Sequence, residues 1–420
     1  MAFLGIDFGT SGVRGTIINP EQEILWETSL SFSPAAEPNL PLLWQETLWE
    51  LLAAIPVDVK PFLKAIAING TSATVLLCDH EGNPLTSPLL YNDNRGKEIQ
   101  EELQQLTPPN HLAGSSSSSL AKLLWWSKQP YFVQARYLLH QSDWLAFLLQ
   151  GKLGISDYHN ALKLGYDVQT LTYPDWLTCQ SWFDLLPQVL APGTPVGLIR
   201  SDLAKRFNIP PDCQICTGTT DSIAAFLASG VNQPGQAVTS LGSTLVLKLL
   251  SQTYVEDFSS GIYSHRWGNL WLTGGASNAG GTVLKQFFTE QELITLSQHI
   301  NPHQPTGYDY YPLPQKGDRF PINDPDLLPR LEPQPDNPVE FLQGILEGLS
   351  RIEALGYQKL QALGASPLTQ VYTAGGGAKN VTWQHIRQRY LGVPVTVSPH
   401  TEAAYGTACL ARSGYAPMPR

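Results

Sequence analysis

Two segments far apart in this chain repeat one pattern: an apolar strand, a tight turn of glycine, serine and threonine, and a second strand. The first runs from Leu4 to Ile18 around the turn Gly9-Thr10-Ser11, and the second from Ala237 to Lys248 around Gly242-Ser243-Thr244. Small residues in a turn bring backbone N–H groups and hydroxyls together, and such a concavity binds anions, phosphate above all. Either hairpin alone fits an ordinary chain reversal. The pair predicts a nucleotide held between two related halves.

The first of these strands contains a carboxylate. Asp7 stands among the apolar residues before the turn, and a buried carboxylate is costly unless a cation or a hydrogen-bond donor accompanies it. A metal ion beside the bound phosphates would satisfy Asp7.

Composition excludes several classes of partner. The chain has 420 residues and a formal net charge of −10, whereas nucleic acids and acidic membranes need a basic face that displaces counterions. No apolar run has membrane-spanning length, and the amino terminus lacks the features of a secretory signal. Five scattered cysteines suit a reducing compartment. We therefore expect a cytoplasmic protein, or one inside an organelle after removal of a transit peptide that this sequence does not contain.

Strand and helix patterns alternate along the chain, which favours an α/β architecture. The repeated hairpins imply an internal duplication, with the turn Asn232-Gln233-Pro234-Gly235 near the boundary. We expect a first domain over residues 1–230, a second over 231–401, and a carboxyl-terminal helix and tail over 402–420 that pack on the first domain. Duplicated halves hold a ligand in the cleft between them.

Helix signals are clear at two places. Ser119 precedes an apolar run and is interpreted as a helix cap. After a proline-rich segment over residues 302–338, apolar residues from Val339 to Leu363 recur at helical spacing.

Asp221 is the strongest catalytic candidate from its local sequence. It follows the strand Gln214-Ile215-Cys216 and the small-residue turn from Thr217 to Thr220, and it precedes an apolar helical run. Open α/β sheets keep their active sites at the carboxyl ends of strands. The alternative is that Asp221 only caps the helix. A P-loop look-alike over residues 275–282 is rejected, because Gly281 stands where that motif needs lysine.

These parts suit one reaction. Phosphoryl transfer to an alcohol needs phosphate cradles, a divalent metal and a carboxylate that accepts the hydroxyl proton. The chain has one candidate for each.

The order of motifs resembles that of the FGGY family of carbohydrate kinases, in the actin/Hsp70-like ATPase superfamily, over nearly the whole chain. The motifs are individually weak and specific in their order. They are Asp7-Phe8-Gly9-Thr10-Ser11, Asn92-Asp93-Asn94-Arg95, Gly218 to Asp221, Leu241-Gly242-Ser243-Thr244, Gly317-Asp318-Arg319, Gly375-Gly376-Gly377-Ala378-Lys379-Asn380 with Trp383, and Glu402 to Ala408.

The resemblance implies a fold of two duplicated actin-like (ribonuclease H-like) domains and assigns roles to residues. Asp221 would be the general base, and Asp7 would orient Mg²⁺ directly or through water. The two hairpin turns would hold the phosphates of ATP. Ser72 would contact the sugar, to which Asp7 and Asp221 also lie close. The residues expected to meet adenosine are Gly376, Gly377 and Asn380, with Trp383 as an aromatic wall.

Departures from the family pattern bear on the substrate. Xylulose kinases of the family usually carry Met-His-Gly where this chain has Ser72-Ala73-Thr74. We therefore expect a kinase of a small ketose, a pentulose with D-ribulose as first choice. The alternatives are D-xylulose or another polyol or ketose, or a catalytically silent regulator that binds sugar or nucleotide. The chain is shorter than most members, which favours a monomer or homodimer.

Overall fold

The computed structural model describes residues 1–32 and 39–415, and its chain forms two compact units. The first comprises Met1–Ala228 together with the chain from Glu402 onward, and the second comprises Ser229–Thr401. The predicted tail beyond the last helix, residues 416–420, lies outside the described residues.

The first unit is built on a mixed sheet whose central strands are apolar and buried. β1, at its centre, is buried along its whole length, as expected for a strand that is covered on both faces. Across the sheet the order is β3-β2-β1-β4-β10-β9, and β11 continues beside β4. A separate pair joins β5 to β6, and another joins β7 to β8. The strands are β1 Ala2–Phe8, β2 Gly12–Ile18, β3 Ile24–Ser31, β4 Leu63–Gly70, β5 Val75–Cys78, β6 Tyr137–His140, β7 Ile155–Asp157, β8 Gln188–Leu190, β9 Pro195–Leu198, β10 Gln214–Cys216 and β11 Thr219–Thr220.

Helices cover this sheet, and side-chain caps fix several of their starts. Ser118 accepts a hydrogen bond from the backbone N–H of Ala121 and so caps the helix that follows, one residue before the predicted cap. The helices are α1 Leu40–Ala54, α2 Gln100–Leu106, α3 Ser119–Trp126, α4 Gln141–Gln150, α5 Tyr158–Ala161, α6 Asp175–Thr178, α7 Ser201–Phe207 and α8 Asp221–Ala228.

The second unit contains its own sheet, in the order β14-β15-β13-β12-β16-β17. The neighbours from β14 to β12 are antiparallel, whereas β12, β16 and β17 are parallel. The strands are β12 Gln236–Leu241, β13 Leu245–Ser251, β14 Tyr263–Trp267, β15 Leu270–Ser277, β16 Gln370–Ala374 and β17 Val395–Val397.

A long helix packs on the second sheet and contributes eight residues to the buried core of this unit. Its apolar side, which includes Phe341, Ile345 and Leu349, joins the buried cluster of this unit, in agreement with the predicted helical spacing. The helices are α9 Gly281–Phe287, α10 Glu290–Ser297, α11 Pro338–Ala362 and α12 Val381–Leu391.

Both sheets contain the same five-strand arrangement. In each sheet, the central strand, β1 or β12, has antiparallel strands on one side. On its other side lie two parallel strands, which are β4 and β10 in the first sheet and β16 and β17 in the second. Two α/β halves of one plan confirm the fold class that the repeated hairpins predicted.

The last helix, α13 (Ala403–Tyr415), returns to the first unit and packs against β1 and α8. The close approach depends on glycine: a Cβ on Gly5 would lie 2.1 Å from the Ala404 oxygen, and one on Gly406 would lie 1.9 Å from the Ala224 oxygen. Within this contact Asn69 donates a buried hydrogen bond of 2.6 Å to Thr407 Oγ1.

In the described part of the chain, no helix combines the length and the apolar character that crossing a membrane requires.

Candidate active site

The turn of the first hairpin is open to solvent. Gly9 donates its N–H to the Gly12 carbonyl at 3.0 Å, which closes the turn. Thr10 and Ser11 are exposed. Among the described residues, no hydrogen bond engages either of their hydroxyls, so these donors are available to an anion.

Strand register brings the predicted catalytic residues of the first unit to one edge of the sheet. Parallel pairing aligns Asp7 with Asn69 and Asn69 with Thr219. One residue further along these strands, Gly70 pairs with Thr220. The hairpin turn, the turn that contains Ser72 and the carboxylate of Asp221 therefore all follow the carboxyl ends of neighbouring parallel strands, where open α/β sheets bind ligands.

A local irregularity sets the position of Asp221. Between Ile215 and Thr219 the pairing of the chain with β4 advances by one residue, as a bulge does. Gly218 lies in this stretch, and a Cβ there would be 1.9 Å from the Ile68 oxygen. Glycine is thus required where the chain crosses closest to β4.

Asp221 is the first residue of α8 and is half-buried. The next backbone N–H, that of Ser222, donates to its Oδ1 at 2.6 Å. The alternative, that Asp221 only caps the helix, and its assignment as a catalytic base both stay predictions.

Asp7 is buried, with 4% of its surface exposed. Burial, followed by the negative charge of Asp221, raises the pKa of Asp7 to about 6, and the Arg14 guanidinium acts in the opposite direction. The two carboxylates therefore belong to one electrostatic site. A group whose charge is so costly is a candidate for binding a cation.

Lys163 also belongs to this site, although the sequence analysis did not identify it. It lies in a 3₁₀ turn over Leu162–Leu164, directly after α5. Burial lowers the pKa of Lys163, whereas the charge of Asp221 opposes that shift. His159 of α5 shares a hydrogen bond of 2.8 Å with Thr219 Oγ1, which attaches the helix to β11. No phosphate-binding motif surrounds Lys163 in the sequence, so only its electrostatic interaction with Asp221 in the fold reveals it.

In the second unit, the Gly242-Ser243-Thr244 turn is supported by the connection between β15 and α9. Gly281 donates its N–H to the Gly242 carbonyl at 2.8 Å, and Thr282 donates its hydroxyl to the Ser243 carbonyl at 2.9 Å. The segment over residues 275–282, which was rejected as a P-loop, therefore packs directly on the turn proposed to bind phosphate. This support depends on a contact between distant parts of the chain, which the local motif could not indicate.

The triple-glycine turn lies at the same sheet edge as this hairpin, because Ser240 of β12 pairs with Ala374 of β16. Gly376 has open space where a side chain would be. Asn380 caps α12 by accepting the N–H of Trp383 at 2.9 Å and donates to Ser297 Oγ at 2.9 Å. The absence of a side chain at Gly376 leaves room for a ligand to approach the backbone.

Trp383 lies beneath this turn. Its side chain is 3% exposed, its Nε1 donates to Ser350 Oγ at 3.2 Å, and a Cβ on Gly377 would lie 2.8 Å from its ring. The indole therefore supports the turn from the core side.

Comparison with known proteins gives a consistent result. The model of the FGGY family of carbohydrate kinases, N-terminal domain, matches residues 2–228, and that of its C-terminal domain matches residues 237–415. A xylulose kinase of Staphylococcus xylosus is 23% identical, with 98% of this chain and 90% of that protein covered. An autoinducer-2 kinase of Escherichia coli is 22% identical, with 98% and 85% covered.

A solved structure shares the fold. The crystal structure of xylulose kinase from Rhodospirillum rubrum superposes with a TM-score of 0.83 at 18% identity, over 100% of this chain and 91% of that one.

Proposed function

The chain belongs to the FGGY family of carbohydrate kinases, and from that premise we propose that it transfers the terminal phosphoryl group of ATP to a hydroxyl of a small ketose. The observation that carries the catalytic assignment is the row of aligned residues Asp7, Asn69 and Thr219. Because of that register, Asp7, the Ser72 turn and Asp221 lie at one sheet edge.

Asp221 is the general base of the proposed reaction. Its carboxylate receives the Ser222 N–H through Oδ1, and we propose that the same carboxylate accepts the proton from the sugar hydroxyl. The hydroxyl oxygen then forms a bond to the terminal phosphorus, the bond from that phosphorus to the bridging oxygen breaks, and ADP leaves with the electron pair. A positioned base contributes about 10²–10⁴ in rate to such a step.

Asp7 is proposed to hold Mg²⁺, directly or through water. Mg²⁺ in phosphoryl-transfer sites is bound by one or two carboxylates together with substrate phosphates, so the buried carboxylate of Asp7 fits this ion. When bound, Mg²⁺ would neutralise the charge on the phosphate oxygens. The described residues contain no cluster of three or more potential protein ligands, which agrees with an ion held partly by the nucleotide.

The nucleotide is proposed to contact three backbone turns. Thr10 and Ser11 after Gly9, and Ser243 and Thr244 after Gly242, offer N–H groups and hydroxyls to phosphates. Gly376 and Gly377 are proposed to meet adenosine, with Asn380 at the start of α12. Because Trp383 is buried beneath the turn, its proposed contribution is to support those glycines.

For the sugar we propose a pentulose, with D-ribulose first. Ser72-Ala73-Thr74 replaces the Met-His-Gly of the family's xylulose kinases, and the Ser72 N–H is the proposed contact. D-Xylulose is the alternative that the xylulose kinase relatives favour. A monomer or homodimer is proposed.

The test is sugar-dependent release of ADP from Mg-ATP across a panel of ketoses, polyols and aldoses. We expect D-ribulose to give the highest kcat/KM, and Asp221→Asn to lower kcat by about 10²–10⁴ while ATP affinity stays within twofold. Asp212→Asn is the matched control, because Asp212 is exposed and paired with Lys64. A response confined to hexoses or glycerol would refute the pentulose assignment, and sugar binding without ADP release would favour the silent regulator.

A further inference from the structure

A buried lysine lies behind the turn that contains Ser72. Lys122 of α3 is fully buried. Its Nζ donates hydrogen bonds of 2.7 Å to the Ala73 carbonyl and 2.6 Å to the Leu90 carbonyl. An unpaired lysine is rarely buried, so this side chain joins two backbone segments at a substantial desolvation cost.

The first carbonyl belongs to a residue in an unfavourable conformation. Thr74 donates its N–H to the Thr71 carbonyl at 3.1 Å, which makes residues 71–74 a β-turn. Ala73, the third residue of that turn, has a φ of +63°, where a type II turn normally requires glycine or asparagine. An alanine keeps this conformation only where its surroundings enforce it.

The polar groups of Thr71 and Thr74 in this turn are engaged by the protein. Gln141 Oε1 accepts the Thr71 N–H at 3.1 Å, the Thr71 and Thr74 hydroxyls share a hydrogen bond of 2.5 Å, and Tyr91 donates its N–H to Thr74 Oγ1 at 3.0 Å. Two neighbouring residues are exceptions: Ser72 is half-buried, and within the described chain no hydrogen bond engages its N–H or hydroxyl, or the N–H of Ala73. The turn is thus held through Thr71, Thr74 and the Ala73 carbonyl, and its unengaged donors lie at Ser72 and Ala73.

The second carbonyl anchors a neighbouring segment. Leu90 precedes Asp93, whose carboxylate accepts hydrogen bonds from Arg95 Nε and Nη2 at 2.8–3.1 Å. Burial lowers the pKa of Lys122 to about 7, with the charge of Asp93 opposing the shift. The amine carries at least two N–H donors in either protonation state, enough for both carbonyls.

We propose that Lys122 is a positioning residue for the sugar: by holding the Ala73 carbonyl, it keeps the turn in its strained conformation and presents Ser72 to the substrate. This inference rests on the proposed function and extends it to a residue that does not touch the sugar. The Leu90 contact fixes the turn relative to the segment that carries Asp93 and Arg95.

The test separates sugar binding from catalysis and from folding. Lys122→Met keeps the length of the side chain and removes the donor. We expect the KM for the sugar to rise about tenfold or more, with the KM for ATP and the kcat at saturating sugar within about threefold of wild type. Lys122→Gln, which keeps a donor of shorter reach, should give a smaller rise and provides a second variant if the methionine variant folds poorly. Lys128→Met is the control, since Lys128 is exposed and paired with Glu102.

A double variant tests the mechanism itself. Glycine adopts positive φ without strain, so Ala73→Gly added to Lys122→Met should recover at least half of the lost sugar affinity, on a logarithmic scale. A purely structural role would lower the melting temperature and leave the sugar KM of the folded fraction unchanged. An unchanged sugar KM, a parallel rise in both KM values, or no recovery by Ala73→Gly would overturn the proposal.

The sugar panel is measured first with the wild-type enzyme, so that failure of the proposed function can be told apart from failure of the positioning role of Lys122. If no sugar stimulates ADP release, the proposed function fails. If any sugar does, whichever it is, that sugar serves for the Lys122 variants, and their result bears on the positioning role alone.

Discussion

Arg14 lies directly opposite Asp7 in the β1–β2 pair and donates a hydrogen bond of 3.3 Å from Nη1 to Asp7 Oδ2. The Arg14 guanidinium lowers the pKa of Asp7, which burial and the charge of Asp221 raise. The partly exposed side chain of Arg14 therefore favours the ionised form of Asp7, and with it the proposed binding of Mg²⁺.

This balance predicts the pH dependence of activity. Only the carboxylate form of Asp7 binds a cation, so kcat/KM should fall as the pH drops through about 6. Arg14→Met removes the group that lowers the pKa, so the acid limb should move toward neutral pH. We expect kcat/KM at pH 6.0 to fall about three- to tenfold and that at pH 8.5 to change little. Lys64→Met, which breaks an exposed ion pair elsewhere in the first unit, should leave the profile unmoved; an equal shift in that variant would contradict the assignment.

The same carboxylate predicts a stabilising substitution. Because the pKa of Asp7 is higher in the folded chain than in the unfolded one, folding favours the protonated form, and this contribution is lost as pH rises from about 4 to above 6. Asp7→Asn removes a charge that is costly at pH 8. Its free energy of unfolding without Mg²⁺ should exceed that of wild type by about 1–3 kcal/mol at pH 8, and the difference should vanish near pH 4. Urea denaturation at the two pH values measures it; a variant less stable than wild type at pH 8 would refute the account.

A buried ion pair joins α11, α12 and the central strands of the second sheet, beneath the edge at which we propose that the nucleotide binds. Arg387 donates to both oxygens of Glu353 at 2.7 Å and to Thr373 Oγ1 at 2.6 Å, and Glu353 also accepts the Thr239 hydroxyl at 2.5 Å. Both charged side chains are 1% exposed.

Removing one partner should leave an uncompensated buried charge. We expect Arg387→Met to lower the free energy of unfolding by about 3–5 kcal/mol. Arg330→Met breaks an exposed pair with Asp309 and should cost less than about 1 kcal/mol. Chemical denaturation compares them, and similar losses in the two variants would show that the buried network contributes little.

The contact between α13 and α8 predicts a distant effect on catalysis. A Cβ on Gly406 would lie 1.9 Å from the Ala224 oxygen, so Gly406→Ala must push the two helices apart. Asp221 is the first residue of α8, and a displacement of about 1 Å in a catalytic group can cost 10²-fold in rate. We expect kcat to fall about ten- to a hundredfold and stability to fall by about 1–3 kcal/mol. Ser413→Ala removes only a bond within α13 and should match wild type in steady-state kinetics; a Gly406→Ala enzyme of normal kcat would disprove the coupling.

Features encoded over short stretches could be predicted from the sequence. The two hairpins, the strand before Asp221 and the α11 helix each follow from local patterns of apolar, small and turn-forming residues. The helix after the serine run was predicted with its cap one residue late, because neighbouring serines have equal capping ability and Ser118 is the one whose hydroxyl meets the Ala121 N–H.

What could not be predicted depends on contacts between distant residues. Lys122 has an ordinary helical environment in the sequence, and only the fold brings the Ala73 and Leu90 carbonyls to its amine. Lys163, and the contact of Gly281 with the second hairpin turn, were missed for the same reason. The burial of Trp383 follows from the packing of α12 against α11, which no local pattern specifies.

The return of α13 to the first unit has a consequence for biosynthesis. On the ribosome, β1 emerges early and would be available to pair with β2 and β4, yet the helix that covers it at Gly5 is translated only after all of residues 229–401. The apolar surface of that sheet therefore stays exposed while the whole second unit is synthesised. Completion of the amino-terminal half is therefore a late event, and a nascent chain stalled before residue 403 would expose surface that chaperones bind.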